Sequence, residues 1–253
     1  MMPIYKLILL LGVVCWATVI IATPAADLTS ANQLATDGKY SEAIQLYENI
    51  HAAGYRSENL YYNWGNAHFH SQNYPAAILA YERALLINPN DADTQLNLSI
   101  ANAHITDQVE PIPTFFLVRI WNTCINLLPS RTWAVLTLLL LWVATTTLIL
   151  RMLYPQRIPY RWAPALTTIM FILASLSLLF GYLRYQGEFK SNAAIVFAKE
   201  IPLKAQANTD AETLVTLHEG VKVAIEHTEG GWFRIRLANG EEGWIPSDAL
   251  QLI

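Results

Sequence analysis

The chain has 253 residues, of which 53% are hydrophobic and 14% charged, and its formal net charge is −4. That length allows two small domains beside an apolar segment, and the acidic balance argues against nucleic acid as a partner. The acids fall in two blocks, Asp27–Glu110 and Glu188–Asp248, with none between them. The two cysteines, Cys15 and Cys124, are placed too differently for a disulfide framework.

Residues 1–26 read as a secretory signal. Lys6 supplies the positive start, Leu7–Ile21 the apolar core, and Ala22 to Ala26 the small residues for cleavage. An uncleaved helical anchor is the alternative. Either would export the segment that follows.

Residues 27–106 contain an internal repeat. Tyr40, Ala43, Ile44 and Tyr47 recur 34 positions later as Tyr74, Ala77, Ile78 and Tyr81. The second copy is the fuller one, with Tyr61, Gly65, Tyr74, Ala77, Tyr81, Ala84 and Pro89 in place. In the first, Ala31 stands at the glycine position and Ile50 replaces the second alanine. A third helix, Asp91–Ala103, is expected to cap the second repeat. A helical hairpin without a true repeat is the weaker alternative.

A 34-residue period of paired helices with small and aromatic residues at these positions resembles the tetratricopeptide family. The resemblance implies a concave face that holds a peptide. Its groove positions fall on Asn59, Tyr62, Asn63, Asn66, Phe69 and His70, with Asn32 in the first repeat at the place of Asn66. One branch of the family clamps a carboxylate with basic residues. Leu28 and Asp93 stand at those places here, so a neutral or basic partner segment is expected instead. His68 and His70 are two apart on a helix and point in different directions, so no metal site is expected. Asn97-Leu-Ser matches a glycosylation triplet.

Residues 107–131 form an acidic, proline-bearing linker followed by an amphipathic stretch. Wound as a helix, Phe116, Leu117, Ile120, Trp121, Cys124, Ile125 and Leu128 share a wide apolar face. A helix lying in a membrane interface is expected; packing beneath the repeats is the alternative. Residues 132–150 and 162–183 carry no charge. The first spans roughly 28 Å as a helix, about the thickness of a bilayer core. The intervening loop, 151–161, holds Arg151, Arg157 and Arg161 without an acid. Short basic loops stay cytoplasmic, so both flanking regions are expected on the opposite side. Arg184–Asn192 reads as a tether.

Within residues 184–253, short alternating segments read as strands: Ala193–Ala198, Ile201–Ala207, Leu214–Leu217, Val221–Glu226, Trp232–Leu237 and Gly243–Pro246. Asn239-Gly240 is a favoured hairpin dipeptide. Glu219-Gly220, Gly231-Trp232 and Gly243-Trp244 carry a resemblance to bacterial SH3-like domains, which implies a small all-β barrel. Trp232 and Trp244 are its candidate ligand residues. They are also read as partly buried barrel residues.

The sequence holds no nucleotide loop, zinc helix motif or nucleophile elbow. No catalytic role, cofactor or metal is expected, and His218 and His227 are expected in solvent. The fold class is a multi-domain membrane protein: α-helical tetratricopeptide repeats, two transmembrane helices and a small all-β SH3-like barrel. That order resembles membrane proteins of the bacterial aerotolerance (Bat-type) group. The resemblance implies protein partners of the membrane-bound von Willebrand A-domain type and a MoxR-type ATPase system. It places the chain in the bacterial inner membrane with both soluble domains periplasmic. The expected function is a membrane-anchored scaffold; the alternatives are a tether binding peptidoglycan through the barrel, and a sensor signalling through the two spans.

Overall fold

A computed structural model describes residues 25–154, 162–189 and 192–253. The stretch read as a secretory signal, except its last two residues, and most of the basic loop lie outside the described residues.

The first five helices among the described residues are α1 (Ala25–Thr36), α2 (Tyr40–Ala52), α3 (Glu58–His70), α4 (Tyr74–Ile87) and α5 (Ala92–Asn102). The starts of α3, α4 and α5 are set by side chains that accept otherwise unpaired amides: Ser57 from Leu60, Asn73 from Ala76 and Asp91 from Thr94. Tyr47, Leu60, Tyr61, Trp64, Ala67, Ala80 and Ala84 fill the space between the hairpins. Gly65 lets α4 approach α3: a Cβ there would stand 2.5 Å from Tyr81 Cε1.

Next come α6 (Phe116–Ile125), α7 (Ser130–Leu153) and α8 (Trp162–Phe189). The long pair has 24 and 28 residues, so the helices measure roughly 36 and 42 Å. They meet along a seam of small residues. Thr137, Ala144, Ala174 and Ser177 are buried in it, and Gly181 admits Trp133, whose Cβ would lie 3.0 Å from an added Cβ. Ser177 Oγ donates to the Trp133 carbonyl at 3.0 Å, and Thr137 Oγ1 lies 3.0 Å from Ser177 Oγ. The larger apolar side chains, among them Leu138, Leu139, Trp142, Ile172 and Leu178, point outward.

The stretch expected as a tether is helical as far as Phe189. Arg184 is only 5% exposed. Its Nη2 donates to the last-turn carbonyls of α4, Leu86 at 2.7 Å and Ile87 at 2.9 Å, and its Nε stands 3.2 Å from Glu188. Glu188 in turn accepts from the Ser130 amide at 3.2 Å and from the Ser130 hydroxyl.

The remaining residues form an antiparallel sheet of seven strands: β1 (Ala193–Val196), β2 (Glu200–Lys204), β3 (Thr213–His218), β4 (Lys222–Glu229), β5 (Trp232–Arg236), β6 (Glu242–Pro246) and β7 (Leu250–Leu252). Their order is β3-β2-β6-β5-β4-β1-β7. Six were expected; β7 is three residues long and follows a 3₁₀ turn, too short for alternation to show. Register shifts at Leu203/Lys204 and Ile225/His227 bend the sheet. Leu203, Leu217, Val223, Ile235 and Ile245 fill its interior.

Strand β1 has no solvent face. Ala194 and Val196 enter the sheet's interior, while Ile195, between them, enters a second cluster with Ala77, Ile78, Leu79 and Tyr81 of α4 and Ala101 of α5. Phe197 and Ile253 border it. The barrel therefore covers the face of α4 where a further helix of the array would pack. The third helix was expected to cover the exposed face of the second repeat; α5 does so together with β1. Lys222–Glu82 at 2.6 Å and Arg83 Nη2 to the Leu252 carbonyl at 2.7 Å flank the contact.

Ile195→Ala leaves a void in a fully enclosed site and is expected to cost about 3 kcal/mol. In denaturant titrations of the detergent-solubilised chain, helical ellipticity and barrel tryptophan fluorescence should shift to lower midpoints together. A shift in one signal alone would mean that the modules are not coupled.

Candidate functional site

Helices α1 to α5 carry two copies of one hydrogen-bonded unit. Asn32 Oδ1 accepts from Tyr47 Oη at 2.8 Å and from Asn63 Nδ2 at 3.0 Å. Thirty-four positions on, Asn66 Oδ1 accepts from Tyr81 Oη at 2.8 Å and from Asn97 Nδ2 at 2.9 Å. Burial pushes the Tyr47 phenol up to about 12 and raises Tyr81 as well, so both stay protonated donors. The asparagines thus join successive helices α1, α3 and α5, and their carbonyl oxygens are already engaged.

A second repeated unit lies at the array's edge. Tyr40 stacks on His70 with ring centroids 5.0 Å apart, and Tyr74 on His104 at 4.5 Å. Phe69 meets His70, Tyr74 and His104 edge-on. His70 and His104 are exposed and the other rings are half-buried.

Of the expected groove residues, Asn59 and His70 are exposed, and Tyr62, Asn63, Asn66 and Phe69 are half-buried. Tyr62 Oη accepts from Asn97 Nδ2 at 3.3 Å. Asn97 and His104 were missed as members of these units. The signal was present, since they stand 34 positions after Asn63 and His70. With its amide committed to Asn66, Asn97 is a poor place for a glycan despite the triplet. His68 faces inward beside Trp64, away from His70.

On the barrel, alternation sends Phe233, Ile235 and Ile245 inward. Trp232, Arg234 and Arg236 of β5 then share the outer face with Pro246, Trp244 and Glu242 of β6. Trp232 and Trp244 are half-buried, and His227 meets Trp244 edge-on at 6.2 Å. Arg234 and Arg236 hold Glu242 at 2.6 and 2.9 Å, which lowers its pKa, and Arg236 also pairs with Glu226. The outer face is aromatic at one end and a charge ladder at the other. His218, expected in solvent, is half-buried; its ring Nδ1 lies 2.9 Å from Asp107 Oδ1, and its backbone amide donates to the same carboxylate at 2.7 Å.

Residues 59–91 match the family model described as Tetratricopeptide repeat, and residues 199–251 match that described as Bacterial SH3 domain. No curated protein matches the chain. The chain therefore carries a tetratricopeptide repeat and a bacterial SH3 domain, with two long apolar helices between them. Strand β1 and helices α1, α2 and α5 fall outside the matched segments.

Asn66→Ala strands the buried Tyr81 hydroxyl and is expected to cost about 2–3 kcal/mol, whereas Asn59→Ala should stay within about 0.5 kcal/mol. Chemical denaturation monitored by ellipticity separates the two. Equal effects would remove the inter-repeat role assigned to Asn66.

His68 sets a pH response. It is 8% exposed with Nδ1 unbonded, and burial pushes its pKa down from 6.5 to about 4. Between those values the unfolded chain binds the extra proton, so stability is full above the unfolded value and falls with pH, by roughly 3 kcal/mol in all. His51 is also lowered, by burial and then by Arg83 and Arg56, and adds a slope of the same sign. Against wild type, His68→Leu should lose most of the acid-side decline in thermal midpoint. An unchanged slope would assign it elsewhere.

Proposed function

We propose that this chain is a non-enzymatic, membrane-anchored scaffold that presents its repeats and its SH3 domain as one rigid head for protein partners. The observation that carries this reading is the shared core around Ile195 together with the Arg184–Glu188–Ser130 contacts. They fix both interaction modules to each other and to the end of the apolar helix pair. Repeats and SH3 domains of these kinds are interaction modules, and the outward leucines and tryptophan of α7 and α8 suit a lipid environment.

In this reading α7 and α8 cross the bacterial inner membrane. The arginine-bearing loop lies in the cytoplasm, the head is periplasmic, and α6 rests in the interface with Phe116, Leu117, Ile120 and Trp121 uncovered. The order of modules supports an envelope-stress or aerotolerance complex of the Bat type, with von Willebrand A-domain membrane proteins and a MoxR-type ATPase system as partners. A second reading, a cell-wall tether, is favoured by the bacterial SH3 match and by the half-exposed Trp232 and Trp244 on one outer face. There the barrel would grip peptidoglycan.

A reporter that functions only in the cytoplasm, fused after Ile253, should stay silent; activity would overturn the periplasmic placement. Crosslinking in intact membranes should capture protein partners, and the full chain in detergent should not sediment with purified peptidoglycan. Sedimentation that Trp244→Ala abolishes would replace the scaffold with the tether.

A further inference from the structure

Between α5 and α6 the chain crosses the barrel, touching it at the alternate positions 105, 107 and 109 and again, after a step of three, at the largely exposed Ile112. Ile105 lies against Gly220, where any Cβ would collide with its side chain. Gly220 also sits at φ +95°, a conformation that favours glycine. Asp107 accepts from the His218 amide and lies beside its ring. Val109 packs at the margin of the barrel interior. Ile112 donates its amide to the Ala238 carbonyl at 3.1 Å, and its Cδ1 would lie 3.0 Å from a Cβ on Gly240. Thr106, Gln108 and Glu110 point to solvent. This two-residue rhythm is that of an extended peptide on a binding surface.

The strap is not a strand of the sheet: Pro111 and Pro113 lack a backbone donor, and its one backbone–backbone bond to the barrel among the described residues is that of Ile112. It lines one side of an open cleft of about 370 Å³ whose other walls include Glu82, Ser99, Asn102 and Lys222. Its contacts are a carboxylate on one amide and ring, and branched aliphatic side chains in openings left by two glycines. All of these a separate peptide could reproduce.

We propose that the barrel surface from Gly220 to Gly240 is a site for an extended peptide, which the chain fills with its own strap. In trans it accepts a partner segment of the same chemistry: a carboxylate flanked two residues away on each side by branched aliphatic residues. Tethering at both ends gives the strap a high effective concentration, so a partner gains the site when the strap is displaced. The inference does not depend on membrane placement and differs from the Trp232–Trp244 face named for the tether.

The test uses the full chain in detergent and a fluorescein-labelled peptide of residues 104–114. The variant Asp107→Ala/Val109→Ser should bind this peptide saturably, about tenfold more tightly than wild type. The gain should vanish when the peptide carries the same two changes or when the chain also carries Gly220→Val. No saturable binding to a double variant whose β4 and β5 amides still exchange slowly overturns the proposal. Should the double variant lose its fold, Asp107→Asn keeps Val109 in place and should gain about threefold over wild type. Equal binding by Asp107→Asn and wild type overturns the proposal too.

Discussion

One buried ion pair faces two helix ends of opposite polarity, and the placement of the head on its stalk follows from it. Arg184 meets the C-terminal carbonyls of α4, and Glu188 meets the N-terminal amide and hydroxyl of α7. Each charge stands at the end of a helix whose dipole favours it. Removing two charges from water costs several kcal/mol, which their mutual attraction offsets only when hydrogen bonds meet the remaining groups. The carbonyls of Leu86 and Ile87 and the Ser130 donors supply such bonds here. Nearby, Asn90 donates to the Asn126 carbonyl and Trp133 to that of Ile125, bringing α6 into the same joint.

Above this joint, the barrel replaces a helix. A repeat array that stops leaves an apolar face bare, and a polar cap is the usual remedy. In this chain the bare face of α4 is closed by a β-strand. Strand β1 suits the task because its alternate residues leave on opposite faces: Ile195 serves the helices while Ala194 and Val196 serve the barrel. It pairs with β4 on one side and β7 on the other. Ordering the barrel therefore orders the end of the array.

The parts legible in the sequence were those written locally. The 34-residue period fixed the helices of the array, and its reach went further than side-chain class: Asn32 with Tyr47 and Asn66 with Tyr81 repeat the same bond. The uncharged runs marked the long helices, and the Gly-Trp pairs the barrel. What stayed hidden depended on long-range contact. Ala193-Ala-Ile-Val is apolar on both faces, which says that it is covered but not by what. Arg184 follows an apolar run and so resembles a boundary, because its partners are backbone carbonyls 97 and 98 residues away. Polar residues on a helix do not reveal whether they face a ligand or the next repeat, so the engagement of Asn63 and Asn66 needed coordinates.

Rigidity changes what two interaction modules can do. Flexibly linked modules gain affinity for a shared target through effective concentration, a gain that depends on linker length. Here β1 and the Lys222–Glu82 and Arg83–Leu252 contacts take the place of a linker. A target that touches both the array and the barrel must then match one fixed spacing, which narrows the range of partners and lowers the entropy lost on binding.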